Sequence, residues 1–99
     1  MKYFIVNNNY HDFSALQGDG VVLVDLTEGK PNIFHTERIK NEMLAKMRKH
    51  EMTKDDFIVV SGAGVLNALA AVAMKEVVGV LNVALYNSND RSYKRRRNL

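Results

Sequence analysis

Residues 57–74, FIVVSGAGVLNALAAVAM, form the longest apolar stretch of the chain, and any fold must place it out of water. Three structures could do so: a membrane span, a phosphate-binding loop, or a buried strand that turns into a buried helix. Eighteen residues reach the lower limit for crossing a bilayer. Ser61, Gly62, Gly64 and Asn67 interrupt the run, however, and divide it into a β-branched piece and an alanine-rich piece. That division predicts a strand over 57–60 and a helix over 64–78, with no membrane as partner. Leu66, Leu69, Ala70, Ala73 and Val77 share one face of this helix, and Val65, Ala68 and Val72 make much of the rest apolar, so the helix is expected to be largely enclosed.

A strand that runs through Ser61-Gly62-Ala63-Gly64 into a helix also presents free backbone amides and the positive end of a helix dipole to an anion. The dinucleotide fingerprint would need a glycine where Asn67 stands and an acid at the end of the next strand, and a P-loop would need Gly-Lys-Ser/Thr. Neither pattern is met. Two readings remain open: the glycines allow a tight turn and close helix-sheet packing, or Ser61, Gly62, Ala63, Gly64 and Asn67 hold an anion or nucleotide.

The rest of the chain falls into short units. KYFIV, residues 2–6, reads as a strand that ends at Asn7, Asn8 and Asn9. Phe13–Leu16 reads as one helical turn that Asp12 can cap, followed by the turn signal Gly18-Asp19-Gly20. VVLVDL, residues 21–26, has the near-continuous apolar character of a strand covered on both faces. Ile39, Met43 and Met47 fall four apart, with Leu44 beside them, and predict a one-faced helix over 36–49. VLNVALY, residues 80–86, is the fourth strand, reached after Gly79 ends the second helix.

Strands alternating with helices long enough for crossovers predict a small two-layer or three-layer Rossmann-like α/β domain over residues 1–90. Its sheet should be largely parallel and four-stranded, with two main helices. The first two strands, joined by only a short helical turn, could run parallel or antiparallel. If parallel, their ends and the end of the third strand share one edge, where the loops NNNYHDFS, LTEGKPN and SGAG converge.

Charge is segregated. The formal net charge is +3, yet Arg91, Lys94, Arg95, Arg96 and Arg97 lie in the last nine residues, which leaves nine basic against eleven acidic residues in 1–90. Asn87-Ser88-Asn89-Asp90 is a run of turn formers. The segment after it either returns as an antiparallel edge strand with Tyr93 inward, or stays a disordered tail. Its cations can contact phosphates while Tyr93 stacks a base, or they can simply solubilise an edge.

The chain contains no cysteine, which removes disulfides and thiolate chemistry and fits a reducing compartment. The start of the chain has no signal-peptide pattern, so a cytoplasmic location is expected. His11 beside Asp12 invites an acid-base or metal reading, but neighbouring positions point apart, and His35 and His50 are isolated. His11 and Asp12 read as loop and capping residues, and neither a catalytic set nor a metal site is assigned. Asn7 and Asn9 can serve turns or bind a base or ribose.

The segments YFIVNNNYHDFS, LTEGKPNIF, DDFIVVSGAGVLNALAA and GVLNVALYN…YKRR, in this order along the chain, resemble a group of small, mostly uncharacterised proteins encoded by tailed bacteriophages. The resemblance implies a phage origin and the host-cell cytoplasm, and implies no active-site residues. The leading expectation is an accessory protein that binds a nucleotide or nucleic acid at Ser61, Gly62, Ala63, Gly64, Asn67, Asn7, Asn9 and His11, or at Arg91, Tyr93, Lys94, Arg95, Arg96 and Arg97. The alternatives are a non-catalytic protein that docks on a host protein, and a nucleotide-processing enzyme using His11, Asp12 or Ser14. An edge strand or an exposed helix face would also support a homodimer, and the sequence names no cofactor.

Overall fold

The computed structural model describes residues 1–9 and 11–99. Five strands, β1 (Lys2–Ile5), β2 (Val22–Asp25), β3 (Phe57–Val59), β4 (Val83–Asn87) and β5 (Ser92–Arg96), form one mixed sheet in the order β2-β1-β3-β4-β5. The first four are mutually parallel, which settles the orientation of β1 and β2, and β5 pairs antiparallel with β4. The C-terminal segment is therefore a hairpin strand and not a loose tail. Its turn is built from side chains that replace backbone partners: Asn87 Oδ1 accepts from Asn89 N–H at 2.9 Å, and Asp90 Oδ1 accepts from Ser92 N–H at 3.2 Å.

Helices α1 (Thr36–Lys49) and α2 (Gly64–Val78) have the predicted bounds and lie together on one face of the sheet. The α1 stripe Ile39, Met43, Leu44 and Met47 meets Leu66, Ala70, Ala73 and Met74 of α2 over Phe4, Val6, Val24, Ile58 and Val83. Among the described residues, the other face has no α-helix. A short 3-10 turn, Ser14–Leu16, covers part of it, placing Phe13 and Leu16 against Tyr3, Ile5, Phe57, Val59 and Ala84. Of the two layerings expected, the two-layer one is found.

Three readings of the sequence need correction. The apolar pattern of VVLVDL predicts cover on both faces, but this edge strand is covered only in part: Val22 is 49% exposed and Val21 and Leu23 are half-buried, while Val24 and Leu26 are buried. The second helix is only half enclosed: Val72 is 53% exposed and Ala68 also faces out, because no further layer packs on that side. The fourth strand begins at Val83, since Asn82 is turned to other work, although its carbonyl already accepts from Ile58 N–H at 3.0 Å.

No helix among the described residues is long and apolar enough to cross a membrane.

Candidate nucleotide-binding cleft

Strand order determines where the loops leave. The connection after β1 crosses to β2 over the 3-10 face, while the one after β3 enters α2 on the helical face, so a crevice between β1 and β3 is the usual ligand position in such a sheet. The three loops do converge there, but they converge on one another. Asn7, 3% exposed, donates from Nδ2 to Thr27 Oγ1 at 2.9 Å and to the Gly29 carbonyl at 3.1 Å. Its N–H donates to Ser61 Oγ at 2.9 Å, and Thr27 Oγ1 donates to the Val6 carbonyl at 2.6 Å. Asn8 N–H donates to the Thr27 carbonyl at 2.8 Å, and the Asn8 carbonyl accepts from Gly29 N–H at 3.0 Å. The side chain of Asn7 thus occupies the crevice, bonded through Nδ2 to Thr27 and Gly29 and packed beneath Gly62.

Asn67 serves the same frame from the other side. Its Oδ1 accepts from Ser61 N–H at 3.1 Å, and its Nδ2 donates to the Ser61 and Ala63 carbonyls, both at 3.0 Å. This explains an amide in an apolar helix: it pins the turn that precedes the helix. Ser61 Oγ, accepting from Asn7, donates on to the Val59 carbonyl at 3.2 Å. Gly62 holds φ of +74° directly over Asn7, and Ala63 caps α2 with no side-chain bond. The outcome is a helix start pinned by Asn67, whose residues Gly62, Ala63 and Gly64 stay exposed, with their N–H groups outside the hydrogen bonds of the described residues.

Open space lies one strand further along. His11, Asp12, Phe13, Val60, Ser61, Gly62, Tyr86 and Tyr93 line a cleft of about 470 Å³ between the β1 loop, the helix start and the β4–β5 hairpin. β4 and β5 pair Tyr86 with Tyr93, and their rings sit 5.2 Å apart at 59°. Tyr86 is half exposed. Burial, with Tyr86 and the Asp12 carboxylate nearby, raises the Tyr93 phenol above its ordinary value, so it is a neutral hydroxyl at physiological pH.

His11 lies exposed with its ring edge-on to Phe13 at 6.2 Å. Asp12 Oδ1 accepts from Ser14 N–H at 2.8 Å, and that bond holds its carboxyl below the usual value. Asp12 and Ser14 meet in that turn bond, while His11 makes no hydrogen bond to either among the described residues, so no histidine–serine nucleophile-base pair is assembled. Nor do three His, Asp or Glu side chains among those residues converge as metal ligands would. Asn9 is half-buried near this loop and makes no side-chain hydrogen bond among the described residues.

The basic residues divide by face. Tyr93, Arg95 and Arg97 alternate onto the 3-10 face, and Lys94 and Arg96 onto the helical face. Arg97 lies with its guanidinium carbon 4.6 Å from the centroid of the Phe57 ring, and Arg95 Nη1 donates to Tyr3 Oη at 3.4 Å. Arg96 folds back on the Arg95 carbonyl at 2.8 Å, and Arg91, with φ of 55°, closes the hairpin turn. Sequence reasoning passed over Tyr86, Phe13 and Val60, which look like ordinary strand and loop residues. The signal available for Tyr86 was its position across the turn from Tyr93.

Lys94 Nζ meets Asp90 Oδ2 at 2.7 Å. That bond, with the Ser92 hydroxyl, holds the Asp90 carboxyl below its ordinary value of 3.8. Because the folded value is the lower one, the stabilisation is complete above 3.8 and is lost as pH falls through the folded value. Amide exchange of Ser92–Arg96, followed from about pH 6 to about pH 2, is expected to stay protected until the acid end of that range. Early loss near pH 6 would show that the turn does not depend on this carboxylate.

No family model, no curated protein and no solved structure matches the chain.

Proposed function

We propose that this protein binds a nucleotide, free or as a unit of single-stranded nucleic acid, in the cleft between the Gly62 turn and the Tyr86–Tyr93 pair. One observation carries the reading: the fold places two separately suspected groups, the strand-end turn with His11 and the hairpin with Tyr93, around a single cleft. The tyrosine faces offer a stacking surface of the kind that accepts any base. The exposed amides at the start of α2 offer donors to a phosphate, and the Asp12 carboxylate beside Tyr93 directs that phosphate to the Gly62 side. Arg95 and Arg97 continue the face beyond Tyr93 and supply the salt-sensitive part of the interaction.

The reading is one of binding, with no catalytic step, because the cleft brings an acid, a histidine and two phenols together without a bonded acid-base pair. Fluorescence anisotropy with a labelled oligothymidylate, repeated across salt concentrations and competed with nucleoside monophosphates, tests it. Tyr93→Ala is expected to weaken binding about tenfold, the effect of losing one stacked base. Joint replacement of Arg95 and Arg97 by Ala should flatten the salt dependence by one to two units of slope, as an estimate of about one per phosphate contact. Binding that ignores both changes, or no binding at low salt, would remove the proposal.

A further inference from the structure

We propose that the outer edge of β2 pairs with the same strand of a second copy of this chain, antiparallel about a two-fold axis at Leu23, so that two sheets join into one. The two edges of the sheet differ in kind. β5 carries Lys94, Arg95 and Arg96, the charge pattern that keeps an edge from pairing with its own copy. β2 has neither lysine, arginine nor proline from Gly18 to Glu28, and its only charges are Asp19 and Asp25 before Glu28.

Backbone alternation points to the axis. Val22 N–H donates to the Met1 carbonyl and Leu26 N–H to the Ile5 carbonyl, so even-numbered residues of β2 turn their polar groups to β1. Leu23 therefore turns both its N–H and its C=O outward, and Asp25 its N–H. Lys46 of α1 donates to the Asp25 and Leu26 carbonyls, both at 3.1 Å, which closes the edge beyond Leu23 but leaves Leu23 uncovered among the described residues. One residue with a free donor and a free acceptor at mid-strand is what a two-fold antiparallel pair uses, since Leu23 and its copy exchange both bonds.

Side chains agree with that register. Val22, 49% exposed, comes opposite Val24 of the other copy and gains burial, and Leu23 meets Leu23. Asp25 falls opposite Val21 and Asp19 opposite Thr27, so no like charges face each other. A β5–β5 pair would set cations against cations. A β2–β5 pair would attract acid-flanked to basic edge, but it is head-to-tail and would grow without closing. In the two-fold arrangement the axis is normal to the sheet, and both tyrosine clefts open on the same side of it.

Sedimentation velocity of the full chain over a concentration series, without nucleic acid, tests the pairing independently of ligand. A dimer is expected, with Val22→Lys raising its dissociation constant about tenfold or more by placing two new cations close together. Val72→Lys on exposed α2 should leave it unchanged. Amide exchange of unmodified protein reads the same contact without a variant: the Leu23 N–H is expected to gain protection as concentration rises. A monomer at every concentration, a dimer that survives Val22→Lys with Leu23 exchanging freely, or growth past the dimer would each overturn the proposal.

Discussion

Replacing Gly62 by alanine is expected to lower the free energy of unfolding by about 3 kcal/mol and to disturb the cleft at the same time. Two effects add. The φ of +74° suits glycine, and any L side chain there costs about 1 kcal/mol or more. The new Cβ would also stand 2.6 Å from Asn7 Cβ and 2.8 Å from Asn7 Oδ1. Asn7 cannot step aside cheaply, because it is buried and tied to Thr27, Gly29 and Ser61, so the overlap adds about 1–3 kcal/mol. For a chain of this size the melting temperature should fall by at least about 10 °C. Gly64→Ala is the control: a Cβ there meets nothing within 4 Å, its φ is not positive, and alanine is the better helix former, so stability should hold or rise slightly. Equal melting temperatures for the two variants would show that Asn7 does not occupy the crevice as described.

Asn82→Ala is expected to cost a similar amount, about 3 kcal/mol, by a different route. This side chain is 1% exposed. Its Nδ2 donates to the Lys54 carbonyl at 2.8 Å and the Asp56 carbonyl at 2.9 Å, and its Oδ1 accepts from Asn98 N–H at 3.0 Å. One amide therefore joins the approach to β3, the start of β4 and the end of the chain. Alanine would strand the buried Asp56 carbonyl, at about 1–3 kcal/mol, and remove the part-buried bonds to the Lys54 carbonyl and the Asn98 N–H, each worth about 1 kcal/mol. Urea unfolding measures the loss. A second readout is local: exchange of the Asn98 and Leu99 amides should quicken more than that of β1, since Leu99 N–H keeps only its 2.9 Å bond to the Leu81 carbonyl. If both regions loosen equally, Asn82 supports the whole core and is no clamp for the C-terminus.

The two variants mark the difference between what patterns disclose and what they conceal. Gly62 stood out in the sequence as part of a glycine-rich helix start, and the helix start is where it was expected. Its neighbour was not visible, because Asn7 is 55 residues away along the chain and nothing local announces that its side chain fills the crevice. VLNVALY looks continuous as a sequence, so pattern alone places Asn82 inside a strand.

From the sequence alone came the two helices with their bounds, the apolar stripe of α1 and the approximate places of the first four strands. The four-residue spacing of Ile39, Met43 and Met47, the β-branched runs and the turn formers at 87–90 act over one or two turns of chain, and local physics settles them. Both helices took the predicted bounds for that reason. Tertiary structure alone decided the order of the strands, and with it everything that depends on distant neighbours: that β2 is an edge, that α2 is half open, that the C-terminal segment pairs with β4, and that the expected crevice is filled while the space beside Tyr86 and Tyr93 is not. Those outcomes rest on contacts between residues far apart in the chain, and a pattern of period 2 or 3.6 says which face is apolar without saying what will cover it.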